Sequence, residues 1–127
     1  VILFRPEHSR RVFVDEVDFI SAPGVSARDV HRPGGPKFLV TELCLMSFDA
    51  ERARFRLESV HPPHTVEEVS DNTGFDFDVA DTVLVTPEPE ADLLNVLRSR
   101  VGVEIGHTYP GFASRVFGIE PAKEAVA

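Results

Sequence analysis

The chain has 127 residues, of which 43% are hydrophobic and 27% are charged, and its formal net charge at pH 7 is −8. This length fits one domain or part of one, and no apolar run approaches the length needed to span a membrane. The acidic balance without a basic patch argues against a nucleic-acid partner, and no cluster of cysteine and histidine has metal-ligand spacing.

The first four residues, Val1 to Phe4, have the apolar character of a buried strand. Because a core strand needs neighbours on both edges, we expect the chain to be a C-terminal fragment, either cut from a longer chain or encoded as a split subunit. A native start codon just before Val1 would contradict this expectation, and intact-mass analysis tests it.

Residues 5–9 are predicted to form a polar turn. Residues 10–20 alternate in a second extended run that splits near Asp15, with a helical middle as the alternative. The sequence Ala22-Pro23-Gly24 ends this run, and residues 25–36 form a loop rich in glycine, proline and charge. Loops of this length are more often functional or interface-forming than idle.

Residues 36–74 are predicted to contain two strands, a short loop and one helix, around which the rest of the chain is organised. The first strand runs from Phe38 to Phe48 and is apolar on both faces, which is typical of a sheet covered on both sides. A polar turn at 49–52 leads into a second strand at 53–58 that alternates between apolar and charged residues. Short polar turns join antiparallel neighbours, so the two strands are predicted to form a hairpin.

A helix is predicted after this hairpin. The sequence His61-Pro62-Pro63 ends the second strand, because proline has no N–H to donate to a strand ladder. Thr65 and Glu68 form a capping box that begins a helix over 66–71. Residues 72–74, Asn-Thr-Gly, are predicted to end the helix with a residue at positive φ.

Two extended segments follow this helix. Phenylalanine and aspartate alternate over residues 75–78, which predicts a short strand. Residues 81–85 are predicted to form a weaker strand or an extended connection.

The most regular helical pattern covers residues 90–101, where leucine and valine recur at helical spacing. Thr86 is a candidate N-cap with Pro87 at the first helical position, and acidic residues precede basic ones along the helix. Gly102 is predicted to close it. Beyond this helix, residues 103–127 hold four apolar side chains that we expect to pack on another chain or fragment, Tyr109, Phe112, Val116 and Phe117.

An ordered series of motifs makes this chain resemble one protein family. The motifs are GGP-x-x-x-VTEL (34–43), SFD (47–49), ESVHP (58–62), TVEEV (65–69) and NTGF (72–75). Together with RRVFVDEVDFISAPG (10–24), they are similar to the C-terminal half of the β subunit of family I CoA-transferases, of the glutaconate CoA-transferase type. The resemblance covers about residues 1–100.

This resemblance implies an α/β fold: part of an open CoA-transferase-like sheet, with a β-hairpin and short covering helices, that is incomplete without its N-terminal half. Residues 1–102 would form the C-terminal half of a β-subunit-like domain. Residues 103–127 depart from the family pattern and would form a C-terminal extension that packs at an interface and then frays. The implied partners are the chain's own N-terminal half, if the chain is cleaved, and an α-type subunit in a larger hetero-oligomer.

The implied chemistry is acyl-CoA chemistry without a metal. Family I CoA-transferases attack an acyl-CoA thioester with a glutamate carboxylate, while a glycine-rich loop donates N–H groups to the developing oxyanion. The resemblance places both elements upstream of Val1, so no residue of this chain is assigned as catalytic. The implied activity is transfer of coenzyme A between an acyl-CoA and a dicarboxylic or branched acid. The alternatives are an acyl-CoA hydrolase or decarboxylase on the same scaffold, and a non-catalytic structural subunit.

Three residues are candidates for lining or supporting a cleft: Glu42, His61 and Asn72. Glu42 lies among apolar neighbours, so it is expected to pair with Arg32, Arg54 or Arg56, or else to face the active site; the structural pair is favoured. His61 has the pKa range of a general acid or base, but a hydrogen-bonded residue at the end of a strand is the favoured interpretation. Asn72 either positions a ligand or only ends the helix.

Three other features have a structural and a functional interpretation. His64 is a second candidate acid or base, or an incidental residue. Cys44 has no second cysteine with which to pair, which favours a reducing, cytoplasmic compartment, and a buried thiol is more often a small hydrophobe than a nucleophile. The row of Arg52, Arg54 and Arg56 either meets the phosphates of coenzyme A or forms a solvated strand face balanced by glutamates.

Overall fold

The computed structural model describes residue 2, residue 4 and residues 7–27 and 29–119, which group into two compact units within 1–87 and 88–127. In the first unit, four strands form one sheet in the order β1-β2-β3-β4. The strands are β1 (Phe38–Val40), β2 (Cys44–Asp49), β3 (Arg54–Val60) and β4 (Asp78–Val85), and helix α1 (Val66–Asn72) lies between β3 and β4 in the chain.

The sheet is mixed. Strands β1, β2 and β3 are antiparallel neighbours, whereas β4 runs parallel to β3. The parallel pair requires a crossover, and α1 supplies it. The core lies against β2, β3 and α1, and it contains Leu43, Cys44, Met46, Leu57, Val60 and Val69. An open α/β sheet was predicted, and the structure confirms it.

The single strand predicted over 38–48 is wrong, because a tight turn divides it into β1 and β2. The Thr41 N–H donates to the carbonyl oxygen of Cys44 at 3.0 Å. The Thr41 hydroxyl oxygen accepts hydrogen bonds from the N–H groups of Leu43 and Cys44, each at 3.1 Å. These local bonds offer the backbone an alternative to continued extension. Burial on both faces is wrong for β1 as well, because Phe38 and Val40 are 67% and 60% exposed.

The hairpin predicted around the turn at residues 49–52 is confirmed, and its two strands are β2 and β3. The Asp49 carboxylate accepts hydrogen bonds from the N–H groups of Glu51 and Arg52 at 2.9 and 3.1 Å, and Ala53 completes the turn at a φ of 50°. The predicted alternation also holds, since Leu57 is fully buried and Arg56 is exposed.

Helix α1 begins as predicted but ends differently. The Thr65 hydroxyl caps it by accepting a hydrogen bond from the Glu68 N–H at 3.2 Å. No residue at positive φ ends it, because Thr73 is extended with a φ of −100°. Gly74 serves another purpose: its N–H donates to the Phe13 carbonyl oxygen at 2.8 Å, and a Cβ at this position would collide with that oxygen. The glycine therefore allows two backbone segments to approach closely.

Strand β4 begins later than the strand predicted over 75–78 and continues through the weaker segment predicted at 81–85. Phe75 and Phe77 precede it and pack as aromatic rings, with the Phe75 ring centroid 5.7 Å from that of Phe55 and 6.5 Å from that of Phe77. These rings are held by core packing, which explains why their alternation with aspartate does not produce strand pairing.

The segment before the sheet is less extended than predicted. Of the strand predicted over 1–4, Val1 and Leu3 lie outside the described residues, and Ile2 and Phe4 are not in a strand. Residues 9–13 form a turn in which the Ser9 carbonyl oxygen accepts from the N–H groups of Val12 and Phe13 at 2.9 and 2.8 Å. Only an isolated bridge between Val14 and Gly74 remains of the extended run predicted over 10–20. The described part of 25–36 is a loop, as predicted.

The second unit is helical, with α2 (Ala91–Val96), a π-helical stretch (Leu97–Val101), α3 (Gly102–Thr108) and α4 (Pro110–Phe117). The N-cap of α2 is Glu90, so the predicted capping role of Thr86 is wrong. Gly102 does not close the helix either: it has a helical φ of −61°, and a Cβ there would lie 2.8 Å from the Ile119 side chain. Close packing within the unit therefore explains this glycine.

The apolar stripe predicted on this helix lies on an exposed face, with Leu93 63%, Leu97 42% and Val101 37% exposed. Further along the chain, Tyr109, Phe112 and Val116 are also exposed, so the expectation that they pack on another chain stays a prediction. The division of the chain at 102/103 likewise stays a prediction, and the fraying predicted for 121–127 falls on residues outside the described part. None of the helices in the described ranges is both long and apolar enough to cross a membrane.

Candidate functional site

The turn between β1 and β2, residues 41–44, is where the polar side chains of the first unit meet. His8 reaches it from the N-terminal segment, and Thr73 approaches from the end of α1. On the other side of the turn, the His61 N–H donates to the Leu43 carbonyl oxygen at 2.8 Å. The backbone of His61 therefore contacts the turn that carries Glu42, so two of the three candidate residues belong to this end of the sheet.

His8 is the centre of this cluster, and its importance was not predicted. The residue is only 5% exposed. Its Nδ1 atom lies 2.8 Å from the Thr41 hydroxyl oxygen and its Nε2 atom lies 2.9 Å from the Thr73 hydroxyl oxygen. The ring centroid lies 4.6 Å from that of Phe13. In the sequence, His8 stands in a short polar stretch of a kind that is usually exposed, so its pattern carries no signal of burial.

The hydrogen bonds around His8 determine its tautomer. The Thr73 hydroxyl donates its proton to the Val69 carbonyl oxygen at 2.7 Å, so it must accept from Nε2–H of His8. The Thr41 hydroxyl already accepts from two backbone N–H groups, and its own proton goes to Nδ1 at 2.8 Å in preference to the more distant Cys44 carbonyl oxygen at 3.5 Å. A hydroxyl has one proton and two lone pairs, and both groups are then fully used. We therefore assign His8 as the neutral imidazole with its proton on Nε2.

The electrostatic setting agrees with this assignment. Burial lowers the pKa of His8 below its ordinary value of 6.5, and the nearby charge of Glu42 opposes this effect without cancelling it. The neutral form is thus the stable form of His8 at neutral pH.

Glu42 is not the buried half of an ion pair, so the pairing favoured from the sequence is wrong. Within the described ranges, no ion pair joins Glu42 to Arg32, Arg54 or Arg56. The reason is its place in the tight turn, which exposes the side chain instead of burying it in a strand. Its carboxylate accepts a hydrogen bond from the backbone N–H of His8 at 3.1 Å. The alternative role, that of a carboxylate facing a cleft, stays a prediction.

His61 is held by a chain of hydroxyl groups. Its Nδ1 atom lies 2.7 Å from the Thr86 hydroxyl oxygen, which lies 2.7 Å from the hydroxyl oxygen of the buried Ser59. The Thr86 N–H also donates to the Val60 carbonyl oxygen at 2.9 Å. This arrangement fits the structural interpretation of His61, and it orients the ring so that Nε2 is the nitrogen left for another group.

Asn72 and His64 have local partners on α1. The side-chain amide of Asn72, the last residue of α1, donates to the Glu68 carbonyl oxygen one turn back on the same helix, at 2.9 Å. The Nδ1 atom of His64 lies 3.0 Å from a carboxylate oxygen of Glu68. Helix termination therefore accounts for Asn72, and a ligand-positioning role for it stays a prediction.

Cys44 is a buried, inert thiol, as its structural interpretation predicted. It is 0% exposed, and burial raises its pKa while its contact with the Thr41 hydroxyl oxygen at 3.7 Å has a smaller opposing effect. A thiol that is neither exposed nor ionised is a poor nucleophile.

The arginine row on β3 and the preceding turn is neutralised by acidic residues. Arg52 and Arg54 both form ion pairs with Asp78 at the start of β4, and the Arg54 Nε atom lies 2.7 Å from the carboxylate. The Nε atom of Arg56 lies 4.0 Å from a carboxylate oxygen of Glu58. This pattern fits a solvated and balanced strand face. Among the described residues, no group of three or more histidine, cysteine, aspartate or glutamate side chains is placed to hold a metal ion.

Known proteins are similar to this chain in sequence and in fold, although no family model matches the sequence. The chain is 34% identical over 114 residues to the B subunit of 3-oxoadipate CoA-transferase from Pseudomonas knackmussii, which covers 83% of the chain and 44% of the relative. It is 34% identical to the B subunit of glutaconate CoA-transferase from Acidaminococcus fermentans, over 65% of the chain and 34% of the relative. It is 33% identical to the IpdB subunit of a cholesterol ring-cleaving hydrolase from Rhodococcus jostii, over 72% of the chain and 38% of the relative.

Solved structures give the same result. IpdAB from Rhodococcus jostii superposes with a TM-score of 0.65 at 32% identity, over 74% of this chain and 40% of the other. Glutaconate CoA-transferase from Acidaminococcus fermentans superposes with a TM-score of 0.59 at 26% identity, and the match covers 73% of this chain and 38% of the other. The decarboxylase AibA/AibB superposes with a TM-score of 0.56 at 29% identity, and the match covers 73% of this chain and 34% of the other.

These likenesses extend over most of the chain but only part of each relative. The chain spans less than half the length of the curated relatives it matches, 44% and 34% for the two CoA-transferase subunits. Shared sequence and a shared sheet topology at these levels reflect common descent, which confirms the resemblance found in the sequence motifs. Over most of its length, this chain is thus homologous to a part of the CoA-transferase B subunits and their relatives.

Proposed function

We propose that this chain is part of a B-type subunit of an enzyme that transfers coenzyme A between an acyl-CoA and a carboxylic acid. The observation that carries the proposal is the 34% identity to the B subunits of two CoA-transferases, 3-oxoadipate and glutaconate CoA-transferase. Coenzyme A enters as the acyl-CoA substrate, and the reaction needs no metal.

In this proposal, the chain supplies scaffold and supporting groups instead of the nucleophile. The cluster at the turn between β1 and β2 offers an exposed carboxylate at Glu42 and an oriented imidazole at His61. The one thiol in the chain, Cys44, is buried and un-ionised. The attacking glutamate and the oxyanion loop that the family uses belong to the part of the subunit upstream of Val1.

The proposed partner is an A-type subunit. The relatives are named as B subunits, and two of the similar structures are named for both components, AibA/AibB and IpdAB. Apolar side chains such as Phe38 and Leu84, which are 67% and 66% exposed, are the kind of surface that association buries. We place the complex in the cytoplasm, in keeping with the single reduced cysteine.

A second candidate function is hydrolysis of an acyl-CoA, or of a ring compound by a related reaction. The specific observation in its favour is the IpdB relative at 33% identity together with the IpdAB structure at a TM-score of 0.65. Decarboxylation is a third, supported by AibA/AibB at 29% identity. A purely structural subunit is the remaining alternative outside the enzyme class.

The test uses the full-length subunit produced together with its A-type partner. The complex is incubated with an acyl-CoA, with and without an added carboxylic acid, and the products are measured. Formation of a new acyl-CoA only when the acid is present supports CoA transfer. Release of free CoA without an acceptor identifies a hydrolase, release of CO2 identifies a decarboxylase, and turnover by the partner alone identifies a structural subunit.

A further inference from the structure

We propose that protonation of His8 opens the N-terminal segment of this domain from the sheet, so that the segment acts as an acid-sensitive clasp. The His8 segment, residues 7–14, has no strand pairing beyond the single bridge at Val14. It is held to the sheet by individual hydrogen bonds and ring contacts, and the bond between the His8 ring and the Thr73 hydroxyl is fully buried.

Protonation conflicts directly with the hydrogen bonds around the ring. A proton on Nδ1 would face the Thr41 hydroxyl oxygen, whose lone pairs already accept from the Leu43 and Cys44 N–H groups at 3.1 Å each. The hydroxyl would have to give up one of these bonds and turn its own proton away. The turn between β1 and β2 therefore tolerates only the neutral ring. A buried polar group without its partner is costly, so the charged ring favours an open segment that exposes it to water.

Charges around the ring oppose this effect only in part. Among the described residues, the charged and titratable groups on the elements packed against His8 are Glu42 and Cys44 on the turn, Glu67, Glu68 and Asp71 on α1, and Glu7, Arg10 and Arg11 on its own segment. Glu42 favours the charged ring, but burial outweighs it. Cys44 is neutral, and the carboxylate of Glu68 lies at His64 instead.

Opening has a defined structural consequence. The segment keeps other attachments, which include the His8 N–H bond to the Glu42 carboxylate at 3.1 Å, the Arg10 Nε bond to the Asp71 carbonyl oxygen at 2.7 Å and the Gly74 N–H bond to the Phe13 carbonyl oxygen at 2.8 Å. The Phe13 ring packs on His8 and lies 6.1 Å, between centroids, from Phe75. Loss of the His8 bonds thus frees Phe13 and uncovers the end of α1 together with the turn that carries Glu42.

The test is hydrogen exchange of the full-length protein, followed by mass spectrometry at about pH 7.5 and about pH 5.5, on either side of the ordinary histidine pKa of 6.5. The labelling times at the two pH values are chosen to compensate for the pH dependence of the intrinsic amide exchange rate. Peptides covering residues 7–14, 41–44 and 73–75 are expected to lose protection in acid, by up to about tenfold for each pH unit below 6.5. The His8→Gln variant is expected to show no such pH dependence, whereas His31→Gln, which changes an exposed histidine, behaves like the wild type.

Equal protection of these peptides at both pH values overturns the proposal, and so does an acid response that persists unchanged in His8→Gln. If His8→Gln does not accumulate as folded protein, exchange of the histidine C2 proton in the wild type decides the matter. Loss of amide protection in residues 7–14 that follows the titration of the His8 ring supports the clasp. Titration of the ring without that loss of protection overturns it.

Discussion

The Nε2 atom of His8 lies 2.9 Å from the hydroxyl oxygen of Thr73, although 65 positions separate the two residues in the sequence. This bond connects the N-terminal segment to the end of α1, and the same ring reaches the turn between β1 and β2 through Thr41. One buried imidazole thus joins three segments, of which the N-terminal segment and the end of α1 otherwise share only the isolated bridge between Val14 and Gly74. The stability of this end of the sheet should depend on it.

The Thr73→Val substitution removes both bonds of this hydroxyl, to His8 and to the Val69 carbonyl oxygen. Because Nε2–H is then buried without an acceptor, we expect the free energy of unfolding to fall by about 1–3 kcal/mol. Urea denaturation of the full-length protein measures this change. The matched control is Thr73→Ser, which keeps the hydroxyl and should retain most of the stability. Equal stability of both variants would contradict the assigned hydrogen bonds.

The Gly74→Ala substitution places a Cβ against the Phe13 carbonyl oxygen, which is backbone and cannot move away as a side chain would. We expect a loss of about 1–3 kcal/mol in stability, since the bridge to Val14 must separate. Gly111 in α4 is the control because a Cβ there meets nothing within 4 Å. Gly111→Ala should raise stability by up to about 1 kcal/mol through its helix propensity. Thermal unfolding of both variants tests the pair.

The Thr65→Ala substitution removes the cap of α1, where the hydroxyl accepts from the Glu68 N–H at 3.2 Å. Loss of an N-cap typically costs about 1 kcal/mol. Thr65→Ser keeps the acceptor, and we expect it to be nearly as stable as the wild type. A chemical denaturation midpoint that is unchanged in Thr65→Ala would show that the cap contributes nothing.

Asp78 should make the protein sensitive to acid. The hydrogen bond from Arg52 is the largest of the effects that lower the pKa of its carboxyl below the ordinary value of 3.8; burial opposes it, and the hydrogen bond from Arg54 lowers the pKa further. The ionised form is thus favoured in the folded state, so its contribution is present above 3.8 and is lost as the pH falls further. We expect Asp78→Asn to flatten this part of the stability profile. Asp81→Asn, at an exposed position of the same strand, should leave the profile unchanged.

Glu42→Gln separates a supporting role from a catalytic one. The side chain is exposed, and a glutamine oxygen can still accept from the His8 N–H, so the stability should change by less than about 0.5 kcal/mol. Under the proposed function the nucleophile is a glutamate outside this chain, so the variant complex should still form a covalent CoA adduct when incubated with an acyl-CoA. Mass spectrometry of the full-length subunit detects this adduct. A folded variant that forms none would place Glu42 at the reacting atoms.

Signals that depend on a few neighbouring residues were readable from the sequence. Thr65 with Glu68 predicted the start of α1, and Asp49 predicted the turn between β2 and β3. His61-Pro62-Pro63 predicted the end of β3, because proline cannot donate to a ladder whatever surrounds it. In the candidate site, Glu42 and His61 were selected from their neighbours in the chain, but their partners, His8 and Thr86, were not.

Features that depend on distant contacts were decided only by the tertiary structure. Thr41 favours a strand by propensity, yet its hydroxyl closes a turn that the adjoining apolar residues concealed. Gly74 and Gly102 have the sequence signature of helix ends, but Gly74 is needed because the Phe13 backbone approaches it, and Gly102 lies within a helix against the Ile119 side chain. The sequence alone does not distinguish a glycine that is required for a positive φ from one that is required for close approach of two backbone segments. The burial and the neutral state of His8 arise from Thr41 and Thr73, which only folding brings to its two nitrogens.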